Sequence, residues 1–125
     1  MAAKPRILTM DRNRRNLELL GEFLGKEGYE TLPVATMEEF ESVMESSEGI
    51  DIALIDISGF DRSIWQACER LTDRGLQLMV ISPQQLSGIR QESMNHGAQG
   101  VLFKPLVVKE LMQVIHSMMP DDPDE

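Results

Sequence analysis

Four residues suited to phosphoryl chemistry each stand where an apolar run stops: Asp11 after RILTM, Asp56 after IALI, Ser82 after LMVI and Lys104 after GVLF. Two carboxylates, a hydroxyl and an ammonium brought to one place make a site for a phosphoryl group and its magnesium ion. A carboxylate in such a site can act as the nucleophile and give an aspartyl phosphate. The lysine would hold phosphoryl oxygens as a point charge and the serine as a neutral donor. Each residue alone has a plainer reading. Asp11 could cap a helix, Asp56 could be a loop acid, Ser82 before Pro83 could mark a turn, and Lys104 could be a surface lysine with a buried stem. Their coincidence at four run ends favours a shared site.

The elements that must position them are short. RILTM, YETLPV, IDIALI, LQLMVI and GVLF read as strands, none alternating cleanly. Helical spacing fills the stretches between and after them. Leu17, Leu20 and Leu24 recur before a stop at Gly28; Thr36 and Glu39 have capping-box spacing ahead of Phe40, Val43 and Met44. Ile64, Ala67, Cys68 and Leu71 precede a break at Gly75. Leu86, Ile89, Ser93 and Met94 form a weaker apolar face ending at His96 and Gly97, and Val108, Leu111, Val114, Ile115 and Met118 run to Pro120. Strands joined by single helices need crossovers, which build a parallel sheet covered on both faces. The expected fold is therefore α/β, a doubly wound five-stranded parallel sheet. IALI and LMVI suit central strands and the proline-bearing YETLPV an edge. Ligands bind such sheets beyond the carboxyl ends of the strands, so all four residues should meet at one edge.

Composition narrows the function classes. The 125 residues are read as one domain, 1–125, with a core of about 6–118 and a solvated acidic tail, PDDPDE, over 120–125. No apolar run approaches bilayer length, and MAAKPR has no apolar core of a signal peptide, so no membrane role is expected. A net charge of −9 argues against nucleic acid. The lone Cys68 fits a reducing cytoplasm. Met79, Met112 and Met118 read as core filler, and His96 and His116 as helix-surface residues.

The segment GAQGVLFKPL carries the most specific likeness. From residue 6 to about 118 the chain resembles a response-regulator receiver domain of the chemotaxis type, used in two-component signalling. The resemblance implies a flavodoxin-like strand order 2-1-3-4-5. It also implies Asp56 as phosphoacceptor, Asp11 and Asp56 as magnesium-site acids with the Ser58 backbone carbonyl as a further ligand, Ser82 as switch hydroxyl and Lys104 as phosphate-binding lysine. Lys104 and Pro105 would share a cis peptide. Lys104 and Asp56 should lie close enough to pair.

The chain departs from that pattern at Arg12. Receivers usually carry two consecutive acids after the first strand; here Asp11 is followed by Arg12. Three carboxylates and a lysine give a pocket of about −2, suited to a divalent cation. With Arg12 the local count falls to about zero and magnesium should bind weakly. Arg12 either pairs with Asp56 or Asp61, standing in for the metal, or swings out to solvent. The loop ISGFDRS lacks the family's usual Met-Pro step and closing Asp-Gly, and Val101 occupies the place of an aromatic switch residue.

The first functional expectation is a cytoplasmic, stand-alone receiver that is not an enzyme. It takes a phosphoryl group on Asp56 from a sensor histidine kinase or phosphotransfer protein and signals by binding an unknown output protein, or a second copy, through the fourth helix, strand five and fifth helix. The alternative is a phosphorylation-independent pseudo-receiver in which Arg12 replaces the metal. A flavin protein or phosphohydrolase of related fold is weaker: DRNRRN is not a Ser/Thr/Gly-rich phosphate loop, and Ser58 stands where a phosphatase of the haloacid dehalogenase type needs an acid.

Overall fold

The computed structural model describes residues 4–47, 49–83 and 88–119. Elements alternate as β1 (Arg6–Met10), α1 (Arg14–Lys26), β2 (Glu30–Val34), α2 (Met37–Ser46), β3 (Ile52–Asp56), α3 (Ser63–Asp73), β4 (Gln77–Ser82), α4 (Ile89–Asn95), β5 (Val101–Phe103) and α5 (Val108–Met118). The five strands form one sheet of order β2-β1-β3-β4-β5, parallel at every pairing. β3 is central and wholly buried, while Pro33 sits on the edge strand β2.

The sheet divides the core in two by the two-residue period of its strands. Leu8, Met10, Ala53, Ile55, Leu78 and Val80 face Phe40 and Met44 of α2 and the Ile64, Trp65 and Leu71 side of α3. Ile7, Ile52, Leu54 and Ile81 face Leu24 of α1 and Leu111 and Ile115 of α5. Both sets are apolar, which is why the strands do not alternate in hydropathy. Each fully buried leucine or isoleucine contributes about 1.5–3 kcal/mol by leaving water.

Helix starts explain how the chain turns at the strand ends. Thr36 Oγ1 accepts the Glu39 N–H at 3.1 Å, and Glu39 Oε1 accepts the Ala35 N–H at 2.7 Å. The expected capping box thus forms, with its return arm one residue early. Asn13, not Asp11, caps α1 by accepting the Asn16 N–H at 3.1 Å.

α4 departs from its expected face. Met94 is 50% exposed, while Ile89 and Ser93 keep the expected inward positions. Ser93 Oγ donates to the Ile89 carbonyl at 2.7 Å, which makes the buried hydroxyl tolerable. Leu86, Pro120 and the tail 120–125 lie outside the described residues. His96 is more than a surface residue: its ring stacks on Trp65 with centroids 5.1 Å apart, and its Nδ1 lies 2.5 Å from Glu69, tying the end of α4 to α3. Gly97 follows at φ +103°, and a Cβ there would fall 1.9 Å from Thr72 Oγ1. Cys68 is buried and free, its thiol pushed up to about 12 by desolvation. Among the described residues no helix is long and apolar enough to cross a membrane.

Candidate functional site

Parallel register brings the strand ends together. Met10 lies opposite Ile55, Asp56 opposite Ile81, and Ser82 opposite Phe103. One residue further along β1 and β5, Asp11 and Lys104 therefore reach the edge that carries Asp56 and Ser82.

Asp56, the last residue of β3, is 3% exposed. Its Oδ1 accepts the Ser58 N–H at 2.9 Å, and its Oδ2 is paired with Lys104 Nζ. Lys104 is fixed from behind, since its N–H donates to the Ser82 carbonyl at 2.9 Å; the expected cis peptide joins it to Pro105. Ser82 is fully buried at the end of β4. Ser58 adds a buried hydroxyl for which the described residues supply no hydrogen-bond partner.

Asp11 is half-buried and held in place by two asparagines. Its Oδ1 accepts the Asn13 N–H at 2.8 Å, and its Oδ2 accepts Asn16 Nδ2 at 3.3 Å. Burial raises its pKa above the ordinary value of 3.8 and the Asp56 charge adds to that, while Asn13, Asn16 and Lys104 oppose it. Asn16 escaped the sequence reading, and Asn13 too, although an asparagine just before the first helical turn is an ordinary cap signal.

Arg12 corrects an expectation. Among the described residues it makes no ion pair, with Asp56, Asp61 or any other acid, and its exposed guanidinium does not hang free. It lies over the Phe60 ring, 5.6 Å from the centroid. Its stem passes Gly59, where a Cβ would meet Arg12 Cγ at 3.4 Å. Asp56 already has its ammonium, so burying a second cation beside it would add desolvation without a free partner. Asp61 turns instead to Ser63, accepting its N–H at 2.9 Å and its hydroxyl at 2.5 Å. Those bonds, the hydroxyl's first, and the nearby charge of Arg12 hold the Asp61 carboxyl below its usual range. Val101 is buried in the core opposite Val80.

A cavity of about 440 Å³ opens beside Asp11, Asp56 and Lys104 and continues between α1 and α5 over Leu20, Phe23 and Leu106. Leu19 and Val108 rim it at 47% and 55% exposure, with Val107 adjacent at 52%.

As a metal site the edge has little net negative charge to offer. Each oxygen of Asp11 and Asp56 already accepts a hydrogen bond or the Lys104 ammonium. Two cations, Lys104 and Arg12, offset the two carboxylates. Among the described residues no cluster of three or more His, Cys, Asp or Glu is placed to hold an ion. The arrangement sets one ammonium, Lys104, against Asp56 and leaves the Arg12 guanidinium on the Phe60 ring of the loop that follows.

The family model described as the response regulator receiver domain matches residues 7–116. Among solved structures, the chain is 25% identical to a receiver domain protein (CheY-like) from Methanospirillum hungatei, with a TM-score of 0.81 over 91% of this chain and 92% of that one. A two-component response regulator from Clostridium difficile is 20% identical, at 0.83 over 92% and 95%. A chain of the co-crystal of a Saccharomyces cerevisiae histidine phosphotransfer signaling protein with the receiver domain of its downstream response regulator is 16% identical, at 0.79 over 95% and 91%. No curated protein matches the chain in sequence.

Proposed function

The chain belongs to the response regulator receiver domain family, and from that premise we propose that it receives a phosphoryl group on Asp56 from a histidine kinase or histidine phosphotransfer protein. The observation that carries this reading is the pairing of buried Asp56 with Lys104 at the sheet edge. An Asp56 oxygen attacks phosphorus, the donor's P–N bond breaks, and the imidazole leaves with the electron pair. Lys104 neutralises oxygens of the group in flight, and Ser82 offers its hydroxyl to the product. The group stays on Asp56, so the chain acts as a signalling module rather than an enzyme.

A donor histidine must approach this edge from outside. The exposed Leu19, Val107 and Val108 beside the cavity suit an apolar helical face of the donor. Output would run through α4, β5 and α5, to a partner protein or a second copy. A cytoplasmic setting accords with the kinase donors and with a buried, unpaired Cys68.

Receivers typically use magnesium at this position, where it screens the phosphoryl charge. The donor set here does not fit a tight magnesium site, because Arg12 replaces an acid and leaves two carboxylates against two cations. Binding is expected to be weak, and no step above needs the ion. Arg12 also favours a second reading, a pseudo-receiver that binds its partner without phosphorylation. Intact mass after incubation with phosphoramidate and magnesium separates the two. Labelling of the wild type and not of Asp56→Asn supports the first reading; no labelling of either supports the second.

A further inference from the structure

We infer that Arg12 is the counter-cation for a phosphoryl group on Asp56, leaving the Phe60 ring to clasp phosphoryl oxygens so that labelling requires no divalent metal. The inference rests on Asp56 being the phosphoacceptor and says what stabilises the group there.

Position comes first. Continuing the register of β1 against β3 sets Asp11 beside Asp56, at the roughly 4.8 Å spacing of neighbouring strands. Arg12 is the next residue, and its side chain already crosses towards the loop that follows Asp56, over Gly59 and Phe60. Gly59 has no side chain to block the stem.

Charge comes second. In the resting site Lys104 matches the Asp56 carboxylate, leaving Arg12 no ionic partner among the described residues and only an exposed ring contact to leave. Phosphorylation turns the singly charged carboxylate into a dianionic acyl phosphate, which one ammonium does not balance. Asp61 feels the Arg12 charge but forms no ion pair with it among the described residues, and one of its oxygens, Oδ1, takes both Ser63 bonds. A guanidinium presents a planar fork of donors to phosphoryl oxygens, which an ammonium cannot. The metal alternative is weak because Arg12 stands where a third acid would be, so the two carboxylates face two cations and the attraction for a divalent ion falls.

With phosphoramidate as donor the step balances without a metal. An Asp56 oxygen bonds to phosphorus, the P–N bond breaks, and the already protonated nitrogen leaves as ammonia with the bonding pair.

The test follows intact mass for the wild type, Arg12→Gln, Arg12→Lys and Asp56→Asn, each with excess EDTA or with magnesium. In EDTA the wild type should label nearly as fast as with magnesium, Arg12→Gln at least about tenfold more slowly, and Arg12→Lys in between. Magnesium should help Arg12→Gln more than the wild type. Alongside, the Arg12 Nε–H resonance and the Phe60 ring protons should both shift on labelling as the contact breaks. Wild type that labels only with magnesium, Arg12→Gln that keeps pace in EDTA, or an unshifted Arg12 resonance each overturns the inference while leaving Asp56 as acceptor. Wild type that labels under neither condition overturns the acceptor reading and this inference with it.

Discussion

Lys104, at the end of β5, pairs with Asp56 at the end of β3, reaching past β4 and anchored to it by a backbone bond to the Ser82 carbonyl. The pair therefore couples three strand ends. Removing either member has a different consequence, because Asp56 is buried and Lys104 is partly exposed.

Lys104→Ala should lower unfolding stability by about 2 kcal/mol, since it leaves a buried carboxylate with only the Ser58 N–H. Asp56→Asn should change it by less than about 1 kcal/mol, because the freed ammonium can turn to water. Urea midpoints measure both. A Lys104→Ala loss no larger than that of Asp56→Asn would mean that the buried carboxylate does not depend on its ammonium.

Leu19→Asp and Val108→Asp probe the apolar rim. Both side chains are about half exposed, so stability should move by no more than about 0.5 kcal/mol. Labelling by phosphoramidate should be unchanged, while transfer from a histidine phosphotransfer protein that labels the wild type should slow by about tenfold. If both donors slow together, the rim acts on Asp56 itself and not on docking.

Glu39 should give a stability term that depends on pH. The Arg14 guanidinium first, and the Ala35 N–H second, hold its carboxyl below the ordinary value of 4.5. A depressed folded-state value means stabilisation that is present above pH 4.5 and lost as pH falls through the lower folded value. Glu39→Gln keeps a cap acceptor but loses the exposed ion pair, so it should cost about 0.5 kcal/mol at pH 7. The difference should vanish in acid; a gap that persists at low pH would assign the effect to packing.

Gly97→Ala should be among the more damaging small changes. The new methyl would meet Thr72 Oγ1 and Cβ, and alanine disfavours φ +103°. A loss of about 3 kcal/mol is expected, with about 1 kcal/mol remaining when Thr72→Ala clears the space. Thermal melts of the single and double variants would show it. Full recovery in the double variant would mean that the backbone angle carries no strain.

The sequence by itself determined the parallel α/β fold, the edge position of the proline-bearing strand, the Thr36–Glu39 cap and the meeting of Asp11, Asp56, Ser82 and Lys104. Each follows from burial period or strand-end position, which short stretches of chain encode locally. The tertiary structure alone decided the rest. Met94 turned outward from the face it was expected to share with Ser93, whose buried hydroxyl is satisfied by a carbonyl one turn back. Asp11 is braced by Asn16, His96 stacks on Trp65, and Arg12 lies on Phe60 rather than on either acid. A long charged side chain has many rotamers of similar energy, and its choice depends on which ring, acid or water a distant loop places within reach. Arg12 sits at a legible position, but where its charge goes was fixed only once the loop after Asp56 had folded beside it.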